Sequence, residues 1–180
     1  MNTQVNNEIL RRQLRDIYDC YRTALYNRQY YGCKLNKYRR WNRILDIFLA
    51  VGSSSVIGGW LIWRNEIGAT IWGIITAIVA VVAIAKPILD LPKEIERYSK
   101  LFVGHGDIYY DLKYIVSEIQ QQQSFLDRLK ESYERTLNRR NTLAADDDAN
   151  QNAKLAKKCF ETVNKQIPPE TLWMPKTENN

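Results

Sequence analysis

The chain has 180 residues and a formal net charge of +6, with one histidine and three cysteines, Cys20, Cys33 and Cys159. An odd cysteine count without a CxxC pair, together with a single histidine, argues against a zinc site. The sequence contains no phosphate-binding glycine loop, no GxSxG and no HExxH. We therefore predict a protein that is not an enzyme and that needs neither a cofactor nor a metal.

Residues 1–43 are predicted to form a cytosolic N-terminal helix. From about Asn7 to Arg43, apolar and aromatic residues recur at helical spacing in one stripe: Leu10, Leu14, Ile17, Tyr21, Ala24, Tyr31, Leu35 and Tyr38. Such a stripe favours packing against a partner helix, and a ligand site made of tyrosines is the alternative. No proline or polar loop separates the stripe from the next segment, so we expect one helix to continue into it.

Residues 44–89 contain two apolar runs, 44–63 and 67–89, with only Arg64, Asn65 and Glu66 between them. About 20 helical residues cross the roughly 30 Å hydrocarbon core of a bilayer. The two runs therefore predict a transmembrane helical hairpin with the lipid bilayer as its partner.

Basic residues flank this hairpin on both outer sides, whereas the turn carries only Arg64. They are Arg39, Arg40 and Arg43 before the first run, and Lys86, Lys93, Arg97 and Lys100 at and after the end of the second. By the positive-inside rule, this placement predicts that both termini are cytoplasmic. It also indicates that the positive charge faces an anionic membrane surface, and no nucleic-acid partner is expected.

Both predicted spans carry small or hydroxylated residues at helical spacing. These candidates for span packing or pore lining are Ser53, Ser54, Ser55, Gly58, Gly59, Ala69, Gly73, Thr76 and Ala80. Small residues let helix backbones approach closely in lipid, where no hydrophobic effect drives association. The pattern favours packing within the hairpin, with a self-association face or a polar pore lining as the alternatives.

Asp46 and Lys86 lie at similar distances from the turn at Asn65, so an antiparallel hairpin places them at similar depth. A charge at that depth is costly unless it is paired or reaches the interface. We predict that the two side chains approach each other, within one subunit or across subunits. Structural anchoring is the favoured role, and a gate is the alternative.

Residues 90–143 are predicted to form one long cytosolic helix. Pro87 indicates a kink or the end of the second span, with a new helix beginning at Asp90 or Leu91. Gly104, His105 and Gly106 interrupt the apolar rhythm and are the hinge candidates. They predict a helix break or local bend, and a hinge that touches a ligand is the alternative.

Residues 144–180 are predicted to form an acidic linker, a short helix at about 153–166 and an apolar tail. Asp146, Asp147 and Asp148 lack the alternating spacing and the glycine of a calcium loop. We expect them to form an exposed linker and the N-terminus of the short helix, where carboxylates face the positive end of the helix dipole. Leu172, Trp173 and Met174 are apolar enough to dock onto the other helices.

Taken together, these segments predict an all-α membrane protein. Its two-span hairpin continues into a cytosolic antiparallel helical stalk of coiled-coil type, to which the short C-terminal helix is added. The N-terminal helix and the helix after the second span are neighbours by connectivity, so their apolar stripes can bury each other.

The order and local sequence of these parts resemble a bacterial family, the SMODS- and SLOG-associating two-transmembrane effector (SLATT) domains. The tyrosine-rich basic helix YRTALYNRQYYGCKLNKYRRWNRI leads into two closely spaced spans. The helix LPKEIERYSKLFVGHGDIYYDLKYIVSEI follows, and an acidic linker and the segment CFETVNKQIPP end the pattern. The resemblance covers roughly residues 8–175.

This resemblance implies a membrane effector of an antiviral conflict system, acting by abortive infection at the bacterial inner membrane. Such effectors are expected to form homo-oligomeric pores when a nucleotide signal or a partner triggers them. A nucleotidyltransferase or nucleotide-sensor protein encoded nearby is the expected partner. The alternative is a membrane-anchored helical module that tethers a cytosolic sensor or enzyme.

Overall fold

The computed structural model describes residues 2–62 and 66–175, with side chains at 7–50, 52, 70, 71 and 73–175. The predicted turn at Arg64 and Asn65 lies outside these residues. The described chain is all-helical and contains no strand, which confirms the all-α part of the predicted class. Its helices are α1 (Asn2–Ile62), α2 (Glu66–Leu89), α3 (Leu91–Gln122), α4 (Asp127–Ala144) and α5 (Ala153–Gln166), followed by a 3-10 turn at Pro169–Thr171.

The longest element, α1, runs for 61 residues from a polar start into the first apolar run. No proline occurs within it, so every backbone N–H past the first turn can bond within the helix. At the far end of α2, Asp90 has a positive φ of 40°, and α3 then begins at Leu91 with Pro92 in its first turn. The early positions of a helix tolerate proline because their N–H groups have no intrahelical partner.

The chain divides into two compact units. The bundle unit comprises Met1–Cys33 and Ser99–Asn180, and the hairpin unit comprises Lys34–Tyr98. Both α1 and α3 contribute to each unit. These units are groups of residues that pack together, whereas the predicted segments are stretches of similar hydropathy. The two sets of boundaries therefore differ.

In the bundle unit, α1 and α3 pack antiparallel. Tyr21 stacks on Tyr109 with ring centroids 5.3 Å apart, and eleven residues further along α1 a Cβ on Gly32 would lie 3.1 Å from the Phe102 ring. The core is built from apolar side chains of four helices. Its fully buried members are Leu14, Ile17, Tyr30, Tyr31, Leu101, Ile108, Leu112, Ile115, Ile119 and Leu129.

The predicted single helix over residues 90–143 is instead two helices. α3 ends at Gln122, Gln123 takes a positive φ of 49°, and α4 begins at Asp127. An unbroken helix would carry the apolar residues of the second half, such as Leu129, away from the helices that bury them. Folding back lets Leu129 and Leu143 of α4 become buried.

Of the helix break or local bend predicted at Gly104, His105 and Gly106, the break does not occur, since α3 continues through all three residues. At Gly104 the missing side chain permits close helix approach, because a Cβ there would lie 2.7 Å from Cδ2 of Leu143 on α4. His105 between the glycines is 1% exposed. Packing against α4 therefore offsets the low helix propensity of glycine at this point.

The two glycines should respond differently to alanine. Gly104→Ala is expected to destabilise the protein by about 1–3 kcal/mol, because its Cβ would overlap the Leu143 side chain. Gly106→Ala should be neutral or stabilising by up to about 1 kcal/mol, since the nearest neighbour of its Cβ is Arg28 Nε at 3.5 Å. Chemical denaturation of the two purified variants in detergent measures the difference, and equal midpoints would contradict the close-approach interpretation.

Candidate functional site

The hairpin unit presents large apolar side chains around the surface of α2. Between 40% and 77% of each remains exposed at Ile71, Ile74, Ile75, Ile78, Val81, Ile84, Ile88 and Leu89. On α1 the exposed large apolar residues of this unit are Trp41, Ile44, Ile47 and Phe48. A helix that is apolar on every face needs an apolar environment, and a contiguous exposed patch of this kind marks an interaction surface.

No single helix within the residues whose side chains are described is long and apolar enough to cross a membrane. One pair of helices, Gly73–Leu89 and Leu91–Gln122, meets the requirement by length and composition, with a bend of 45° between them.

One close contact between α1 and α2 is made at Gly52, which is not among the predicted packing candidates. Gly52 is buried, and a Cβ at this position would lie 2.5 Å from Cγ2 of Val79. The sequence did contain a signal for this contact, because Gly52 directly precedes Ser53–Ser55. A run of small residues permits close helix approach.

Three of the predicted small-residue candidates on α2 lie at exposed positions. Gly73, Thr76 and Ala80 are exposed, and among the residues whose side chains are described no atom lies within 4 Å of a Cβ built on Gly73. The other candidates, Ser53, Ser54, Ser55, Gly58, Gly59 and Ala69, lie outside the residues whose side chains are described.

The structure brings Asp46 and Lys86 together as an ion pair between α1 and α2. Asn42 Nδ2 also donates to Asp46 Oδ2 at 3.0 Å. Both contacts lie within one chain, at the end of the hairpin remote from its turn. A paired carboxylate with a second donor tolerates a membrane edge better than an isolated one.

The bundle unit contains a second cluster, around the buried His105. Its Nε2 lies 3.0 Å from Asp147 Oδ1, and its ring stacks on Tyr31 with centroids 5.3 Å apart. The Tyr31 hydroxyl accepts a hydrogen bond from the backbone N–H of Asp148 at 3.1 Å. The Tyr30 hydroxyl likewise accepts from the N–H of Asn152 at 3.0 Å. The cluster thus fixes the linker before α5 to both α1 and α3.

The acidic linker is therefore not the exposed segment that the sequence predicted. Asp146, Asp147 and Asp148 are half-buried, and Asp146 pairs with Lys100 at 2.6 Å. The partners of these carboxylates come from α1 and α3, so no local pattern could reveal them. Across the described residues, no group of three or more His, Cys, Asp or Glu side chains is placed to hold a metal ion.

Tyr18 and two tyrosines of the α1 stripe, Tyr21 and Tyr31, are buried core residues. Burial raises the pKa of Tyr18 to about 12, and it also raises the pKa values of Tyr21 and Tyr31. The Tyr18 hydroxyl donates to the carbonyl oxygen of Trp173 at 2.7 Å, which attaches the C-terminal tail to the bundle.

No protein-family model, no curated protein and no solved structure matches the chain. Membership of the SLATT family therefore stays a prediction.

Loss of the Asp147 carboxylate should weaken the bundle. Asp147→Ala leaves the buried His105 Nε2 without its partner, so we expect a loss of about 1–3 kcal/mol in the free energy of unfolding. Lys100→Ala is the matched control, because it removes an exposed ion pair of the same linker and should cost less than about 1 kcal/mol. Denaturant titration measures both variants, and an equal loss would contradict the assigned role of His105.

The buried tyrosines predict alkaline unfolding. The pKa of Tyr18 is higher in the folded protein, about 12, than the ordinary value of 10.0. The stabilisation is therefore complete below pH 10 and is lost as the pH rises towards 12, because the unfolded chain releases the proton first. Tyr18→Phe should make the denaturation midpoint less dependent on pH in this window, whereas Tyr114→Phe, at an exposed position, should leave the profile unchanged.

Proposed function

We propose that residues 44–63 and 67–89 cross a bacterial inner membrane as a two-span hairpin with both termini in the cytoplasm. The observation that carries this proposal is the exposure of large aliphatic side chains around α2. Full burial of one such side chain is worth about 1.5–3 kcal/mol, so placing the whole set in hydrocarbon is favourable by on the order of 10 kcal/mol. The basic flanks of the hairpin support the orientation, since they would face an anionic cytoplasmic surface.

Within this membrane, the chain acts as a pore-forming effector of the SLATT type. Two helices cannot enclose a water path, because the polar groups lining it must be enclosed by a closed assembly. A pore therefore requires several copies of the chain. The exposed small residues Gly73 and Ala80 support homo-oligomerisation, since residues of this size permit close approach by another helix.

The proposed biological role is membrane disruption in an antiviral response, triggered by a nucleotide signal or by a partner protein. It rests on the resemblance of the tyrosine-rich α1 segment and the α3 segment to SLATT domains. A nucleotidyltransferase or nucleotide sensor encoded nearby would supply the trigger. The chain itself contributes no catalytic step in this scheme.

The second candidate is a membrane-anchored interaction module. It is favoured by an exposed face of α3, where Val103, Tyr110 and Tyr114 recur at helical spacing with more than half of each side chain exposed. A cytosolic protein could dock on such a surface while the hairpin served only as an anchor.

Substitution at Gly73 tests the pore directly. Gly73→Leu adds bulk at an exposed position of α2, so the hairpin should fold while assembly fails. We expect loss of the cross-linked oligomer and at least a tenfold reduction in membrane depolarisation of expressing bacteria, since close helix approach depends on small residues. Ile74→Leu is the matched control, because it places leucine at the next exposed position without adding volume.

Two results would contradict the pore. One is an unchanged oligomer and unchanged depolarisation in Gly73→Leu. The other is a wild-type chain that enters the membrane without changing its potential, which would favour the anchored module.

A further inference from the structure

The bundle unit contains a cavity between α3 and α4, with a volume of about 280 Å³. The two helices are antiparallel here, so one face of each lines the cavity. Its polar lining comes from Asp111 and Tyr114 on α3 and from Ser132, Arg135 and Arg139 on α4. None of these residues belongs to the clusters described above.

Two arginines give this cavity a positive charge. Arg139 Nη1 lies 2.8 Å from Asp111 Oδ2, in an ion pair that is about half exposed. Among the described residues Arg135 has no carboxylate partner, and its Nη2 donates to Ser132 Oγ at 3.3 Å. Asp111 therefore balances one of the two guanidinium groups, and the other keeps its charge.

The same lining is rich in hydrogen-bond donors. A guanidinium carries five N–H donors in a planar fork, whose geometry matches two oxygens of a phosphate group. The contacts of Arg135 and Arg139 each engage one nitrogen. The Tyr114 hydroxyl has no hydrogen-bond partner among the described residues and is a further donor. The cavity is thus better suited to an anion than to a cation.

The rest of the lining is less polar. Tyr114 leaves 57% of its side chain exposed, whereas Ile115 and Thr136 are buried. The Thr136 hydroxyl already donates to the carbonyl oxygen of Ser132 at 2.8 Å. Small-molecule sites typically occupy roughly 300–1,000 Å³, so this cavity suits a small ligand. It leaves room beside a phosphate group for a modest organic part.

We propose that this cavity binds a small, soluble phosphate monoester. Arg135 and Arg139 hold its phosphate group, and its organic part lies against Tyr114 and Ile115. Such a group carries a charge of about −1.5 to −2 at neutral pH, which complements the unbalanced guanidinium. An exposed ion pair contributes little to stability, so Arg139 can exchange Asp111 for phosphate oxygens. The inference does not depend on the proposed pore, because it concerns side chains of the bundle unit alone.

Titration calorimetry of the full chain in detergent, with phenyl phosphate as the probe, tests the proposal. We expect saturable binding at one site per chain. Phenol lacks the phosphate group and inorganic phosphate lacks the ring, so each should bind at least about tenfold more weakly. Inorganic sulfate that binds as tightly as phenyl phosphate would show a general anion surface and overturn the proposal. Saturation by a short-chain phosphatidic acid but not by phenyl phosphate would overturn the assignment to a soluble ester.

The unpaired cation is tested by Arg135→Gln, which should weaken binding of phenyl phosphate at least about tenfold, since charge-assisted hydrogen bonds to phosphate are lost. Arg128→Gln is the matched control. Arg128 is also an exposed arginine of α4, but it pairs with Glu118 at 2.7 Å and does not line the cavity. Its loss should leave the affinity within about twofold of the wild type. Equal losses in the two variants would assign the binding to diffuse charge and overturn the proposal.

Asp111→Asn provides a test that misfolding cannot imitate, because it is expected to improve binding. It removes the carboxylate that competes for Arg139 and costs only an exposed ion pair. The affinity for phenyl phosphate should rise at least about threefold, since the lining then carries two unbalanced guanidinium groups. Unchanged or weaker binding in this variant would contradict the assigned site, even if Arg135→Gln fails to fold.

Discussion

The continuity of α1 is the constraint on which the rest of the structure depends. This helix has no internal proline and runs for 61 residues, so one continuous element supplies side chains to both compact units. Its N-terminal part buries Leu14 and Ile17 in the bundle, and its later part supplies Gly52 for the contact with α2. The N-terminal part of α1 carries an apolar stripe, and its C-terminal part is largely apolar. Each part is stable only if an apolar environment covers its apolar side chains. The bundle provides one, and the proposed bilayer provides the other.

Within the bundle, one buried histidine at a predicted hinge position joins the acidic linker to the helices. His105 occupies α3 between two glycines, and its contacts with Asp147 and Tyr31 join the linker to two helices. A buried polar ring is costly unless its nitrogens are bonded, so this cluster favours one arrangement of the linker over others. The position of α5 follows from that arrangement.

Much of the candidate membrane surface could be predicted from hydropathy alone, because the apolar runs are long and the charges lie at their flanks. Which face of α2 meets α1 could not be predicted. Small residues at Gly73 and Ala80 suggested packing within the hairpin, and the close approach seen among the described residues is that of Gly52 to Val79. Spacing along a helix defines its faces, but only the position of a neighbouring helix decides which face is covered.

The sequence by itself determined the all-helical class and the bounds of α5, where Asn152 caps the first turn through Leu155 N and Pro168 follows the end. These signals are local, so they act in the same way in any tertiary setting. Only the tertiary structure decided that α3 continues through Gly104, that the chain reverses at Gln123, and that Asp147 has a buried partner. Each of these outcomes depends on the packing of residues far apart in sequence, and that packing outweighs local preferences of about 1 kcal/mol.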